Sequence, residues 1–207
     1  TAKTLGLYNN LPNNPSVALG TSEHTLLEIT GAYAGILNGG KYVTPYGRTK
    51  LKLKSNDTPL MEKNFSSKER TLSRSTTEQL IYMMHRTLQD GTGTKANIKE
   101  IEAAGKTGTT QNQRDAWFIG FTAQHVVGVW MGNDNNLSLT GVTGGGLPAE
   151  IWKEIIIRIS KNSSYKPLPM IRPKAPPTLE NGIYRNQELN LKSNFNIFKS
   201  IKNLFKQ

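Results

Sequence analysis

The chain has 207 residues, a formal net charge of +11 and no cysteine. That length fits one domain, or one domain with a tail. The lack of cysteine excludes disulfides, thiol nucleophiles and thiolate metal sites. His24, His85 and His125 have no metal-ligand spacing, and no apolar run of about 18 residues is present to cross a bilayer. The charge is uneven, because residues 165–207 hold eight Lys/Arg against two Asp/Glu. A solvated surface with a basic tail explains this better than nucleic-acid binding, since no groove-reading motif or aromatic RNA platform accompanies it. The chain begins at Thr1 rather than Met, and we read it as a piece of something longer.

Residues 1–24 are turn-rich, with two Pro and four Asn in "NNLPNNPS". A helix follows. Thr25 and Glu28 form a capping-box pattern, Leu26, Ile29, Tyr33, Ile36 and Leu37 line one face, and Gly39 and Gly40 stop it. "TKLKLK" reads as a half-exposed strand, "SNDTP" as a hairpin turn and "LMEKNF" as the return strand. A second helix is predicted over 76–89, capped by Ser75 and Glu78, with Leu80, Met83, Met84 and Leu88 buried. Gly91 ends it.

Three strands are expected next, at about 99–107, 115–123 and 125–132. In the middle one, Trp117, Ile119 and Phe121 share a face, and Ala116, Phe118 and Gly120 share the other. Both faces are apolar, so it is a central strand. The short "TAQH" connection implies antiparallel pairing. The Gly-rich loop "TGVTGGGLP" leads to a last helix from Pro148, with Ile151, Trp152, Ile155, Ile156 and Ile159 apolar. Trp117, Trp130 and Trp152 are read as core residues. "KPLPMIRPKAPP" suits neither helix nor central strand and reads as an extended linker. Leu191, Phe195, Phe198, Ile201 and Phe205 then recur at helical spacing among lysines. The expected layout is a domain over 1–162, a Pro-rich linker over 163–182 and a basic amphipathic tail over 183–207.

The stretch "AAGKTGTT" (103–110) concentrates chemistry. Lys106 supplies fixed positive charge. The Thr107 and Thr109 hydroxyls can donate hydrogen bonds. Gly108 lacks a side chain, so a substrate backbone can lie against the strand. The Thr109 N–H can face a developing oxyanion. Together they suit an anionic, peptide-like substrate that adds itself to a sheet edge. Ala104 and Gly105 are small and leave Lys106 accessible.

Several blocks in order extend this reading: "NPSVALGTSEHTLLEITGAYAGILNGG" (14–40), "GTGTKA" (91–96), "AAGKTGTT", "DAWFIGFTAQHVVGVWMGND" (115–134) and "GGGLPAEIWK" (144–153). With them the chain resembles the C-terminal part of the transpeptidase domain of class A, bifunctional penicillin-binding proteins, over roughly residues 1–160. The resemblance implies an α+β fold, a five-stranded antiparallel sheet flanked by helices, incomplete in this chain, so that one sheet face lies bare. It also implies serine acyl transfer on D-Ala-D-Ala stem peptides of peptidoglycan, inhibited by β-lactams, outside the bacterial inner membrane. No cofactor or metal is expected. Lys106 and Thr109 would be catalytic, with Lys106, Thr107, Gly108 and Thr109 binding substrate.

The family's S-x-x-K and S-x-N motifs precede K-T-G, and neither occurs before Lys106 here. "SSYK" (163–166) and "SKN" (160–162) match literally but in the wrong order. The nucleophilic serine and its lysine are therefore expected to come from outside this chain, from the missing N-terminal half of the domain. The chain alone is expected to be inactive. The other readings are a non-catalytic peptidoglycan- or partner-binding module, and a basic tail that associates with membranes.

Overall fold

The first helix, α1 (Leu26–Leu37), begins where its cap requires. The Glu28 N–H donates to Thr25 Oγ1 at 3.2 Å, and the Thr25 N–H donates to the Glu28 carboxylate at 2.9 Å. That second bond, from the Thr25 backbone, holds the Glu28 carboxyl below its usual range. Gly39 and Gly40 end the helix with φ of 68° and 83°, as a left-handed stop demands. This computed structural model describes residues 1–8, 11, 13–55, 58–64, 69–173, 179–180 and 183–184. They fall in two units, Thr1–Arg172 and Pro173–Gln207.

A small antiparallel hairpin follows, β1 (Lys50–Lys52) with β2 (Pro59–Glu62), and Leu51 lies opposite Met61. Then comes α2 (Arg74–Gln89). It starts two residues before the expected 76, because its cap is Ser73, not Ser75. Ser73 Oγ accepts from the Thr76 N–H at 3.0 Å, and Glu78 instead pairs with Arg74. The reason lies upstream. Both the Thr71 and Leu72 N–H groups donate to the Gly40 carbonyl, so the chain is pinned just before Ser73 and turns into helix at once.

The main sheet has the order β3 (Ala104–Thr109), β4 (Asp115–Phe121), β5 (Val126–Gly132), all antiparallel. Among the described residues this sheet has three strands rather than the five implied by resemblance. β4 is central, as its two apolar faces require. β3 starts five residues later than expected and runs further. Ile98 and Ile101, both buried, close a tight bridge on each other, which removes residues 99–103 from the ladder. The last helix, α3 (Leu147–Ser160), carries Pro148 in its first turn.

Two apolar clusters sandwich the sheet. On one side, Phe118 and Val129 meet Trp152 and Ile156 of α3, together with Leu88 and Ile98. The Phe118 and Trp152 rings lie 5.3 Å apart, and a Cβ at Gly120 would come within 2.8 Å of both, so only glycine fits there. On the other side, Ala104 and Phe121 meet Ala32 and Ile36 of α1 and Ile81 and Met84 of α2. Tyr33 packs on that cluster, and burial pushes its phenol up to about 12. The face expected to lie bare is thus largely covered. Among the described residues it opens toward its far end, where Trp130 is 40% exposed and pairs with half-buried Trp117. Trp152 is core as expected, whereas Trp130 is a surface residue.

After α3 the chain lies back on its own unit. Leu168 is buried in the α1–α2 cluster, its N–H donates to Glu102 at 2.9 Å, and Arg172 pairs with the same carboxylate. Within the stretch read as linker, Leu168 and Arg172 are therefore tied to the first unit, while residues 164–167 are exposed. In the second unit, β6 (Leu179–Glu180) and β7 (Ile183–Tyr184) form a short antiparallel hairpin. The amphipathic pattern expected over 191–207 lies outside the described residues. Among the described residues no helix is long and apolar enough to cross a membrane.

Candidate active site

The register of β3 decides which of its groups face outward. The Thr110 N–H donates to the Asp115 carbonyl at 3.1 Å, so the even-numbered residues of β3 are the hydrogen-bonded partners of β4. The N–H and C=O groups of Gly105, Thr107 and Thr109 consequently point the other way, to the outer edge of the sheet. Side chains alternate across the faces. Ala104, Lys106 and Gly108 share the α1 side with Ile119 and Trp117, while Gly105, Thr107 and Thr109 face the α3 side.

Lys106 starts from the α1 side but its ammonium turns to the edge, where Nζ donates to the Thr107 carbonyl at 2.9 Å. Lys106 is exposed, and among the described residues it enters no ion pair. Thr107 Oγ1 lies 2.7 Å from Thr92 Oγ1, and Thr109 Oγ1 accepts from the Gly144 N–H at 3.0 Å. Gly108 sits against Trp117, where an added Cβ would come within 3.2 Å of the tryptophan Cβ. One strand edge therefore gathers a fixed cation, two hydroxyls and an outward N–H. Such a set can hold a carboxylate and stabilise negative charge on an adjacent carbonyl oxygen.

The strand end is braced by the turn that follows it. The Asp115 N–H donates to Thr110 Oγ1 at 2.8 Å, and the Asp115 carboxylate accepts from Trp130 Nε1 at 2.9 Å. Asn112 and Gln113 adopt φ of 59° and 53°, a left-handed pair uncommon outside glycine. The loop after β5 holds them there. Ser138 Oγ donates to the Asn112 carbonyl, the Leu139 N–H to the Gln113 carbonyl, and the Gly141 N–H to the Gln113 side chain.

The literal serine motifs sit elsewhere. Ser160 is buried in the last turn of α3, and Ser163 lies in the turn after it. Their segment continues to Leu168 and Glu102, beyond the opposite end of β3 from Thr109. His85 Nδ1 bonds the Ala103 carbonyl at 2.8 Å and ties α2 to the entry of β3. An open recess lined by Tyr46, Gly47, Arg48, Met61 and Lys63 belongs to the β1–β2 hairpin and contains none of the edge groups. Sequence reasoning missed Thr92, Asp115 and Gly144 as partners of the strand. The run of glycines at 144–146 was the only local hint of a close approach.

Comparison with known proteins bears on these observations. Residues 9–156 match the family model described as the penicillin binding protein transpeptidase domain. Penicillin-binding protein 1A of Aquifex aeolicus is 33% identical over 168 residues, covering 79% of this chain and 23% of that protein. The solved structure of the penicillin-binding protein PonA1 from Mycobacterium tuberculosis superposes with a TM-score of 0.69 at 22% identity, covering 81% of this chain and 50% of that one. At that identity the likeness concerns the fold alone. Penicillin-binding protein A from M. tuberculosis, solved as an imipenem acyl-enzyme complex, matches at 28% identity with a TM-score of 0.54, covering 64% of this chain and 30% of that one. The chain spans about a quarter of the length of the curated relatives it matches.

Proposed function

Because the chain belongs to the penicillin-binding protein transpeptidase family, we propose that it supplies one wall of the active site of a peptidoglycan D,D-transpeptidase. The observation that supports this most directly is the outer edge of β3, which pairs with no further strand among the described residues and has the Lys106 ammonium lying on it. In this reading a stem peptide ending in D-Ala-D-Ala lies alongside β3. Its terminal carboxylate is held by the Thr107 and Thr109 hydroxyls, with the Lys106 charge beside it. Gly108 lets the peptide backbone approach. The Thr109 N–H donates to the oxyanion formed when a serine Oγ attacks the penultimate D-Ala carbonyl carbon. The terminal D-Ala leaves with its amine protonated. An amine of a neighbouring stem then attacks the acyl-enzyme, forms the new peptide bond and returns the serine.

No S-x-x-K or S-x-N stands before Lys106 in this chain, so in this reading the attacking serine comes from another part of the domain and the 207 residues by themselves are inactive. The reasoning is one of magnitude. An oxyanion donor is worth about 10²–10³ in rate, whereas a lost nucleophile costs about 10⁶. β-Lactams are expected to occupy the same edge in the complete domain; the M. tuberculosis relative was solved as an acyl-enzyme with one of them, imipenem. The reaction belongs outside the inner membrane, where peptidoglycan is.

Two measurements on the purified chain test this. Incubation with a fluorescent penicillin and a denaturing gel should leave it unlabelled; a covalent band would overturn the claim that the serine comes from elsewhere. Titration with diacetyl-L-lysyl-D-alanyl-D-alanine, followed by amide NMR, should shift Lys106, Thr107 and Thr109. Shifts confined to other surfaces, or none, would remove the proposed wall.

A further inference from the structure

Thr107 and Thr109 project on the same side of β3, and a different segment backs each hydroxyl. Behind Thr109 stands the Gly144 N–H, which donates to Oγ1 at 3.0 Å. That bond uses the oxygen as acceptor and leaves the threonine proton free to donate outward. Behind Thr107 stands Thr92, with the two hydroxyl oxygens 2.7 Å apart. Either can donate in the free protein. An anion at the strand edge decides the direction, because it must accept from Thr107, and Thr107 then accepts from Thr92. A chain forms, from Thr92 O–H to Thr107 O–H to carboxylate, in which each bond polarises the next.

The depth of both backing donors is fixed by glycine. A Cβ on Gly144 would collide with the carbonyl oxygens of Trp117 and Gly108, and one on Gly145 with the carbonyl oxygen of Thr92. Thr92 thus meets Gly145 with its backbone carbonyl and Thr107 with its side chain. It follows Gly91 at the end of α2, an anchored segment, since the Gly93 N–H donates to the Thr87 carbonyl at 3.0 Å. From this arrangement we infer that Thr92 is a positioning residue for the substrate carboxylate, turning the Thr107 proton outward as Gly144 does for Thr109. The inference rests on the reading of the β3 edge as a carboxylate site.

The test uses the 207-residue chain, two peptides and two variants. The peptides are diacetyl-L-lysyl-D-alanyl-D-alanine and its C-terminal carboxamide. Thr92→Val removes the hydroxyl and keeps the shape; Thr92→Ser keeps the hydroxyl. Affinities come from amide NMR titration, and thermal melts report folding. Thr92→Val should weaken the carboxylate peptide about five- to tenfold. It should leave the weaker carboxamide peptide within about twofold, because a neutral amide gains less from the polarised chain. Thr92→Ser should restore the carboxylate peptide to near the parent affinity. Unchanged carboxylate affinity in Thr92→Val overturns the assignment. So does an equal loss for both peptides, or a loss in Thr92→Ser as large as in Thr92→Val, since either marks a purely structural threonine. If the unmodified chain binds neither peptide at all, the carboxylate site itself is refuted, and this role with it.

Discussion

The two ends of β3 share one strand and one ladder but live in opposite surroundings. Ala104 and Gly105 are fully buried between the two apolar clusters, and His85 grips the carbonyl just before them. Lys106 to Thr109 are exposed or half-buried, and their polar groups meet Thr92, Gly144 and the strand's own Thr107 carbonyl. The contrast shows how one strand can be anchored at one end and open at the other. The buried end is held by apolar packing, and the open end keeps its Lys106 ammonium out of any ion pair among the described residues. Stability and binding should therefore separate along a strand of six residues.

The largest effect should come from the buried side. Trp152 is fully buried against Phe118, and Trp152→Ala should cost about 3–5 kcal/mol in urea unfolding. A cost below about 1 kcal/mol would show that the α3 side does not anchor the sheet.

Next comes an alkaline effect at the other cluster. The Tyr33 phenol is pushed from 10 to about 12 by burial, so the folded chain holds that proton more tightly than the unfolded chain does. Its contribution is whole below pH 10 and is lost as pH rises from 10 to 12, on the order of 2 kcal/mol. Tyr33→Phe should flatten the stability profile across that window. An unchanged slope in the variant would trace the alkaline loss to other groups.

The smallest effect on stability should come from the open end. Lys106→Met should change unfolding by less than about 0.5 kcal/mol while abolishing the peptide-induced shifts. If it destabilises the chain as Trp152→Ala does, the two ends of β3 are not separate in role.

Much of the anchored half was legible from local pattern. Thr25, Glu28, Gly39 and Gly40 bound α1 as their types demand, and the two apolar faces of 115–121 marked β4 as central. The Lys-Thr-Gly stretch stood out through residue types alone, and the strand it was expected to form is β3. The start of α2 was not legible, because Ser73 and Ser75 are both good caps, and the choice rests on Gly40, more than 30 residues away. The offset of β3 was hidden in the same way. Ile98 and Ile101 look like strand residues, but burial beside α3 folds them onto each other. The anchoring of Leu168 and Arg172 depends on Glu102, which no local composition reveals.

By itself, the sequence determined the helices and the central strand and singled out Lys106, Thr107 and Thr109 as the polar groups of one strand. These follow from side-chain type and from periods of two and 3.6 residues, which are properties of neighbours along the chain. The tertiary structure alone decided which way β3 turns its N–H groups, and that Thr92 and Gly144 stand behind Thr107 and Thr109. Those outcomes depend on hydrogen bonds spanning 15 and 35 residues, and such distances close only when both apolar clusters have assembled around the sheet.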